Sequence, residues 1–226
     1  MKRSLLVLIC IALAANASAL EQDGGIRFVV ADPAGEFGEN ADDPGFGVVL
    51  HYGLRPRPAL TFGAALDVMI YGSETTEIDL PLVEPFDLVT TNNLASGFLF
   101  AQYRPLRGAV QPYAEARLGM RYLWTESKLQ DTDWWDDDEV GRETNFDDWA
   151  SYWGGGGGLL IKLADGNRTQ KNPAVYLDLK VMSLKGAEAE YLTEGDILIR
   201  NDEPIFRPSK SDTDLTTYSL GVVLLF

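Results

Sequence analysis

The densest set of potential ligand atoms in this chain lies in the run Asp131-Thr132-Asp133-Trp134-Trp135-Asp136-Asp137-Asp138-Glu139. Asp131, Asp133, Asp136, Asp137 and Asp138 offer the hard carboxylate oxygens that calcium or magnesium takes, so their type points to a divalent-cation site. Their spacing does not, because the glycine-centred order of an EF-hand loop is missing; like charges gathered on a solvated loop account for the same run. Other chemistries are less well supplied. The single histidine, His51, would serve a lipid-hydrolysing site as general base, yet no serine and orienting carboxylate accompany it locally. Gly154 to Gly158 has no Lys-Ser/Thr after it, as a phosphate loop requires, and glycines within a strand more often permit curvature or make room for large neighbours. With one histidine and one cysteine, zinc fails on ligand supply.

Those residues must be carried by some scaffold, and the addressing of the chain narrows which. Met1-Lys2-Arg3, the apolar stretch Ser4 to Ala15 and the small residues Asn16-Ala17-Ser18-Ala19 have the layout of a secretory signal cleaved after Ala19. Residues 1–19 are therefore read as a signal peptide and 20–226 as one domain, with no linker or long repeat to divide it. Cys10 has apolar residues on both sides, so lipoprotein cleavage before it is not expected, and no cysteine follows it. Stability in an oxidising compartment then comes from pairing and burial rather than disulfides. The chain carries 19 Lys+Arg against 34 Asp+Glu, a net charge of -15, and loses Lys2 and Arg3 with the signal to reach -17. Nucleic acid is a poor partner for such a surface. Mean hydropathy is -0.09, and no later run reaches the roughly 18 apolar residues of a spanning helix, so a membrane role requires a closed barrel.

Period-two alternation predicts eight strands. The clearest is Thr216 to Phe226, with Thr216, Tyr218, Leu220, Val222, Leu224 and Phe226 on one face and Thr217, Ser219 and Gly221 on the other. An apolar face bounded by aromatics over about 9–11 residues matches a tilted, lipid-facing strand. The others are Ile26 to Ala31, Phe46 to Leu54, Leu60 to Tyr71, Ala95 to Arg104, Pro112 to Trp124, Tyr152 to Leu163 and Ala174 to Leu184. Ala95 to Arg104 fits least well: Gln102 and Arg104 on the interior face bring Phe98 and Phe100 with them, and a β-bulge that changes the facing is one remedy.

Connections after the second, fourth and sixth strands are short, and those after the first, third, fifth and seventh are long. That rhythm predicts an all-β fold: an eight-stranded antiparallel up-and-down transmembrane β-barrel with short periplasmic turns and four long extracellular loops. With the signal, the Pro-Tyr-x-Glu-x-Arg-x-Gly run at Pro112 to Gly119 and terminal Phe226, the mature chain resembles the small eight-stranded outer-membrane barrels of OmpA and OmpX type, including opacity-like and OmpW-like relatives. The resemblance implies a bacterial outer-membrane location, and recognition of Phe226, with Tyr218 second, by the barrel assembly machinery.

Inward alternation places Arg27, Asp67, Glu115, Arg117, Arg121, Lys162, Asp178 and Lys180 in the lumen, with His51 nearby. Buried charges persist when paired and hydrogen-bonded, so these predict a cross-strand network that plugs the barrel. The acid lies mostly in the long connections and the base in the short ones. The function expected from this is non-enzymatic: presentation of acidic loops in a structural or adhesive role, with divalent ions bridging them to lipopolysaccharide phosphates. Alternatives are a small channel for ions or hydrophobic molecules, a lipid A-modifying barrel enzyme acting through His51, and a soluble secreted barrel, which would leave the apolar faces without a solvent.

Overall fold

The computed structural model describes residues 20–41, 43–78, 86–131, 141–167, 172–192, 197–200, 203–206 and 208–226, with side chains described outside 73–90, 127–145 and 197–206. The signal read at 1–19 lies outside the described residues. In chain order the elements are β1 (Glu21–Pro33), α1 (Glu36–Asn40), β2 (Gly45–Arg57), β3 (Leu60–Ile78), β4 (Phe86–Tyr103), β5 (Val110–Asp131), β6 (Gly141–Ala164) and β7 (Ala174–Gly186). Four short strands follow, β8 (Glu188–Tyr191), β9 (Ile197–Arg200), β10 (Glu203–Phe206) and β11 (Ser209–Asp212), before β12 (Leu215–Leu225). Strands β1 to β7 and β12 form a closed antiparallel barrel in which β1 seals against β12 from Asp23↔Leu225 to Pro33↔Leu215. Outside the ring, β8 pairs with β11 and β9 with β10.

Closure satisfies the backbone of every barrel strand and leaves the two side-chain faces to different solvents. Outward, Phe28 is 73% and Leu66 67% exposed, within a continuous band that includes Leu50, Leu99, Leu118 and Leu220. In water such a band would drive aggregation; in a bilayer it is the lipid contact. Phe46, Trp149 and Tyr218 frame it towards the long loops, and Tyr52, Tyr103 and Phe226 towards the short turns. The chain is therefore a transmembrane β-barrel.

Two features depart from the alternation read in the sequence. Four strands run well beyond their predicted bounds at the long-loop end: β3 continues past Tyr71 to Ile78, β4 begins at Phe86 rather than Ala95, β5 continues past Trp124 to Asp131, and β6 begins at Gly141 rather than Tyr152. At 22 residues, β5 is about twice what a tilted crossing needs. Its extension lies beyond the apolar band, where two polar faces leave no alternation to detect. Register shifts at Ile70/Ser73 and at Thr125/Glu126 mark where the strands leave the barrel wall. Gly72, within the first of these, has φ 76, which a side chain would strain.

The second departure is β4. Its pairing with β5 is continuous from Phe86↔Asp131 to Tyr103↔Ala114, with no change of facing between Ala95 and Arg104. Phe98, Phe100, Gln102 and Arg104 are all buried. The aromatics fit because the strands beside them carry glycine: a Cβ at Gly63 would lie 2.5 Å from Phe100 Cζ, and one at Gly119 would lie 2.6 Å from Phe98 Cβ. Gly154, Gly156 and Gly158 of β6 likewise make room for Leu184, Met182 and Tyr113.

Gly119→Ala is accordingly expected to destabilise the barrel by about 1–3 kcal/mol through overpacking. Gly97→Ala, whose Cβ would meet only Leu66 Cδ2 at 3.4 Å, should be near neutral. Heat-modifiable gel mobility after graded urea treatment measures both, and equal stability of the two variants would contradict the glycine–aromatic packing.

Candidate functional site

The side chains that could do chemistry converge inside the barrel. Arg27 Nε of β1 donates to Asp178 Oδ2 of β7 at 2.5 Å, and Tyr113 of β5 donates its hydroxyl to Asp178 Oδ1 at 2.5 Å. Lys180 Nζ donates to Glu115 Oε2, which also accepts from Gln102 Nε2 at 3.3 Å, while Arg117 Nη2 donates to Glu115 Oε1 at 3.2 Å. The ties of Arg27 and Tyr113 to Asp178 and of Lys180 to Glu115 pass over an intervening strand, whereas Gln102 lies on the adjacent strand β4 and Arg117 on β5 itself. Arg27 pairs in register with Gly221 of β12 and Gly221 with Asp178, so the guanidinium crosses a residue with no side chain. Between Glu115 and Lys180 the inward positions of β6 are Gly156 and Gly158. All the members are at most 9% exposed. Paired in this way, charges that would be prohibitive singly become tolerable.

Towards the short turns a second group forms that the predicted strand starts left out. Because β1 begins at Glu21 rather than Ile26, Asp23 falls on the same face as Arg27. Its Oδ2 accepts from Arg104 Nη2 at 2.5 Å, and Arg104 also donates to Thr61 Oγ1 at 2.6 Å. Arg55, read as part of a turn, is buried and lies 3.3 Å from Glu21. Period-two extension of the predicted strands finds Asp23 and Arg55, and Tyr113 shares the Glu115 face within its own predicted strand. His51 sits between the groups, 3.3 Å from Arg27 Nη2 and 4.0 Å from Asp23 Oδ1, with its ring edge-on to Phe100. It is thus flanked by a guanidinium, a carboxylate and an aromatic ring.

The other candidates divide. Asp67 is buried beside Ser96, within electrostatic reach of Arg117 and Arg121. Arg121, 1% exposed, donates to the Thr213 carbonyl at 2.5 Å and lies over the Tyr152 ring at 4.7 Å. Lys162 is a correction: although it shares the inward parity, it lies at the short-turn rim, beside the register shift at Lys162/Ala164. Its ammonium reaches solvent and Asp165 at 3.0 Å instead of the lumen. Asp133, Asp136, Asp137 and Asp138 lie outside the described residues, and of Asp131 only the backbone at the end of β5 is described. Among the described residues no group of three or more His, Cys, Asp or Glu side chains converges as a metal site. Tyr218 and Phe226 point outward, and the Phe226 N–H donates to the Gln22 carbonyl at 2.9 Å.

The long-loop end is closed from above. Phe37 of α1, 1% exposed, packs edge-on against Tyr71 and Tyr191, and Asn40 Nδ2 donates to the Tyr191 hydroxyl at 3.1 Å. Below this lid, Thr213 is fully buried, and its N–H and hydroxyl both donate to the Ala187 carbonyl. Asp148 Oδ2 accepts the Glu190 N–H at 2.9 Å, joining β8 to β6. On the outer surface Lys210 donates to Glu188 at 2.9 Å, and that bond holds its ammonium above the ordinary lysine range.

Among the described residues the voids between the lumen side chains are small. One enclosed void of about 10 Å³ is bounded by Arg27, Asp67, Arg117, Arg121 and Lys180 among others; a second, also about 10 Å³, adjoins Asp23, His51, Phe100 and Arg104. Each has room for about one water. A filled, ion-paired lumen inside an apolar outer band is the architecture of a membrane-crossing barrel of eight strands. No protein-family model matches the chain, and no curated protein sequence is significantly similar to it. Among solved structures it is similar to Neisserial surface protein A (16% identity, TM-score 0.45, 92% of this chain and 97% of that one). It is also similar to Ail, the attachment invasion locus protein of Yersinia pestis (11%, 0.45, 92% and 99%), and to the N-terminal barrel domain of Pseudomonas aeruginosa OprF (11%, 0.37, 91% and 97%). Likeness at this level carries nothing about activity, and the fold stands on the strand pairing of this chain.

Removing one member of the network should expose its cost. Glu115→Ala strands Lys180 and Arg117 together and is expected to destabilise the barrel by about 3–5 kcal/mol. Adding Lys180→Met should recover part of that loss. Urea unfolding in lipid vesicles, followed by tryptophan fluorescence, measures the cycle; purely additive effects would show that the two groups are not coupled.

Proposed function

We propose that this protein is exported to the bacterial outer membrane and acts there as a plugged, non-catalytic barrel that holds an acidic surface outside the cell, in a structural or adhesive role. The observation that carries this is the filled lumen, where ion pairs cross the interior and leave voids of about 10 Å³ each. A conducting pore needs a continuous water path, and Arg27 borders both voids and lies between them. The aromatic lid of Phe37, Tyr71 and Tyr191 supports the same reading. Rigid strands that rise beyond the apolar band would carry the loops well clear of the lipid headgroups. Assembly machinery would recognise the outward aromatics Phe226 and Tyr218.

Acid at the long-loop end gives the presented surface its character. Asp147, Asp148, Glu188, Glu190 and Asp212 belong to this end, with Lys185 and Lys210 as nearby bases. Lipopolysaccharide phosphates beside such a surface would repel it unless divalent cations intervene. Bridging by calcium or magnesium, with the run from Asp131 to Asp138 contributing further carboxylates, is the partner chemistry proposed.

The purified protein in planar bilayers is expected to give no discrete current steps in potassium chloride; steady single-channel steps lost in Arg117→Ala would favour a channel instead. Titration calorimetry should detect calcium or magnesium at millimolar concentration, with the heat diminished when Asp131, Asp133, Asp136, Asp137 and Asp138 are replaced by Asn. An absence of heat from the unaltered protein would remove the bridging role.

A further inference from the structure

We propose that the void among Arg27, Arg117, Arg121 and Lys180 is a binding site for one small monovalent anion of the size of chloride, held as a structural ion inside the barrel. The case begins with a charge count. Four cations line the void, from β1, β5 and β7, and one carboxylate, Asp67 of β3, joins them. Outside the lining, Asp178 balances Arg27, and Glu115 is shared between Lys180 and Arg117. Four positive charges therefore meet three negative ones. None of the seven is more than 9% exposed. An uncompensated charge at that depth is strongly unfavourable, and a resident anion removes it.

Hydrogen bonding points to the same place. Arg121 is the cation whose direct partners are neutral, the Thr213 carbonyl and the Tyr152 ring. Among the described residues, Nε of Arg121 and Nε of Arg117 have no acceptor. Ser96, Thr217 and Ser219 also line the void, so hydroxyl donors complete the wall. Asp67 Oδ1 has no partner there either, and it sets the limit of the site: the ion must sit on the arginine side, away from that oxygen. The size selects the class. About 10 Å³ accepts a monatomic ion with slight yielding of side-chain ends, whereas phosphate, sulfate and organic carboxylates are too large. Four positive walls refuse a cation. Water would satisfy the donors but leave the charge.

The test uses the mature barrel refolded into detergent or lipid, in sodium bromide and separately in sodium gluconate at matched ionic strength. Crystals from bromide are expected to show an anomalous peak in contact with Arg117 and Arg121 inside the barrel. Thermal unfolding should rise by about 3 °C for each tenfold increase in halide and stay flat in gluconate. Arg121→Gln, which keeps a donor for the Thr213 carbonyl but loses the charge, should abolish both signals. A refined water without anomalous signal, together with equal melting in the two salts, would overturn the proposal. Those measurements on the unaltered protein decide the matter even where Arg121→Gln does not fold.

Discussion

Skip-strand ion pairing over glycine is the interaction on which the rest of this barrel depends. In an eight-stranded ring the lumen is only about wide enough for the side chains that face into it. A charged residue cannot find its partner on the adjacent strand alone when that position is occupied by an apolar group. Here β12 presents Gly221 between Arg27 and Asp178, and β6 presents Gly156 and Gly158 between Glu115 and Lys180. Glycine weakens a strand considered alone. In these places it opens the floor across which a guanidinium or an ammonium reaches a carboxylate. The same device seats Phe98 beside Gly119 and Phe100 beside Gly63. Polar and aromatic filling thus share one architectural rule, and the glycines enforce it.

This rule explains which parts of the molecule are legible in the sequence and which are not. Eight strands, their order and the outward band follow from alternation, because lipid imposes period two on one face of each crossing. Arg27, Glu115, Arg117, Asp178 and Lys180 follow for the same reason. Strand β4 is opaque to that logic, since inward Phe98 and Phe100 contradict a polar interior until the glycines of β3 and β5 are placed beside them. Partners two strands apart never appear in a single-strand pattern. The long extensions of β3, β4, β5 and β6 are equally hidden, because beyond the apolar band no lipid face imposes the period-two signal. Lys162 fails differently: its parity is right, but parity says nothing of how far along the barrel axis a residue lies.

The lumen also communicates with the surface. Arg121 is fixed from within the wall of β5, and its guanidinium grips the backbone of Thr213 just before β12 begins. From Thr213 the chain bonds to Ala187, and Ala187 bonds to Ser151 of β6. Asp214 then accepts from the Gly186 amide and from Lys185, while its own carbonyl accepts the Ala34 N–H beside α1. Two of the long connections are therefore seated on the barrel through one short stretch of backbone, and that stretch is held by a buried cation.

Sign is distributed accordingly. The outer end gathers carboxylates, whereas the lumen beneath it holds more guanidinium and ammonium groups than the acids that pair with them. In the low-dielectric interior an excess of one charge is felt over a longer range than the same excess in water. The anion proposed above offsets that excess inside the lumen, so what reaches the rim is the local hold of Arg121 on the Thr213 backbone rather than a net positive lumen. Arg121 is where the two meet, since it contributes to the interior excess and bonds directly to the returning chain. The charge that makes the lumen costly to bury is thus also the charge that keeps the base of the surface loops in place, and neither role can be altered without disturbing the other.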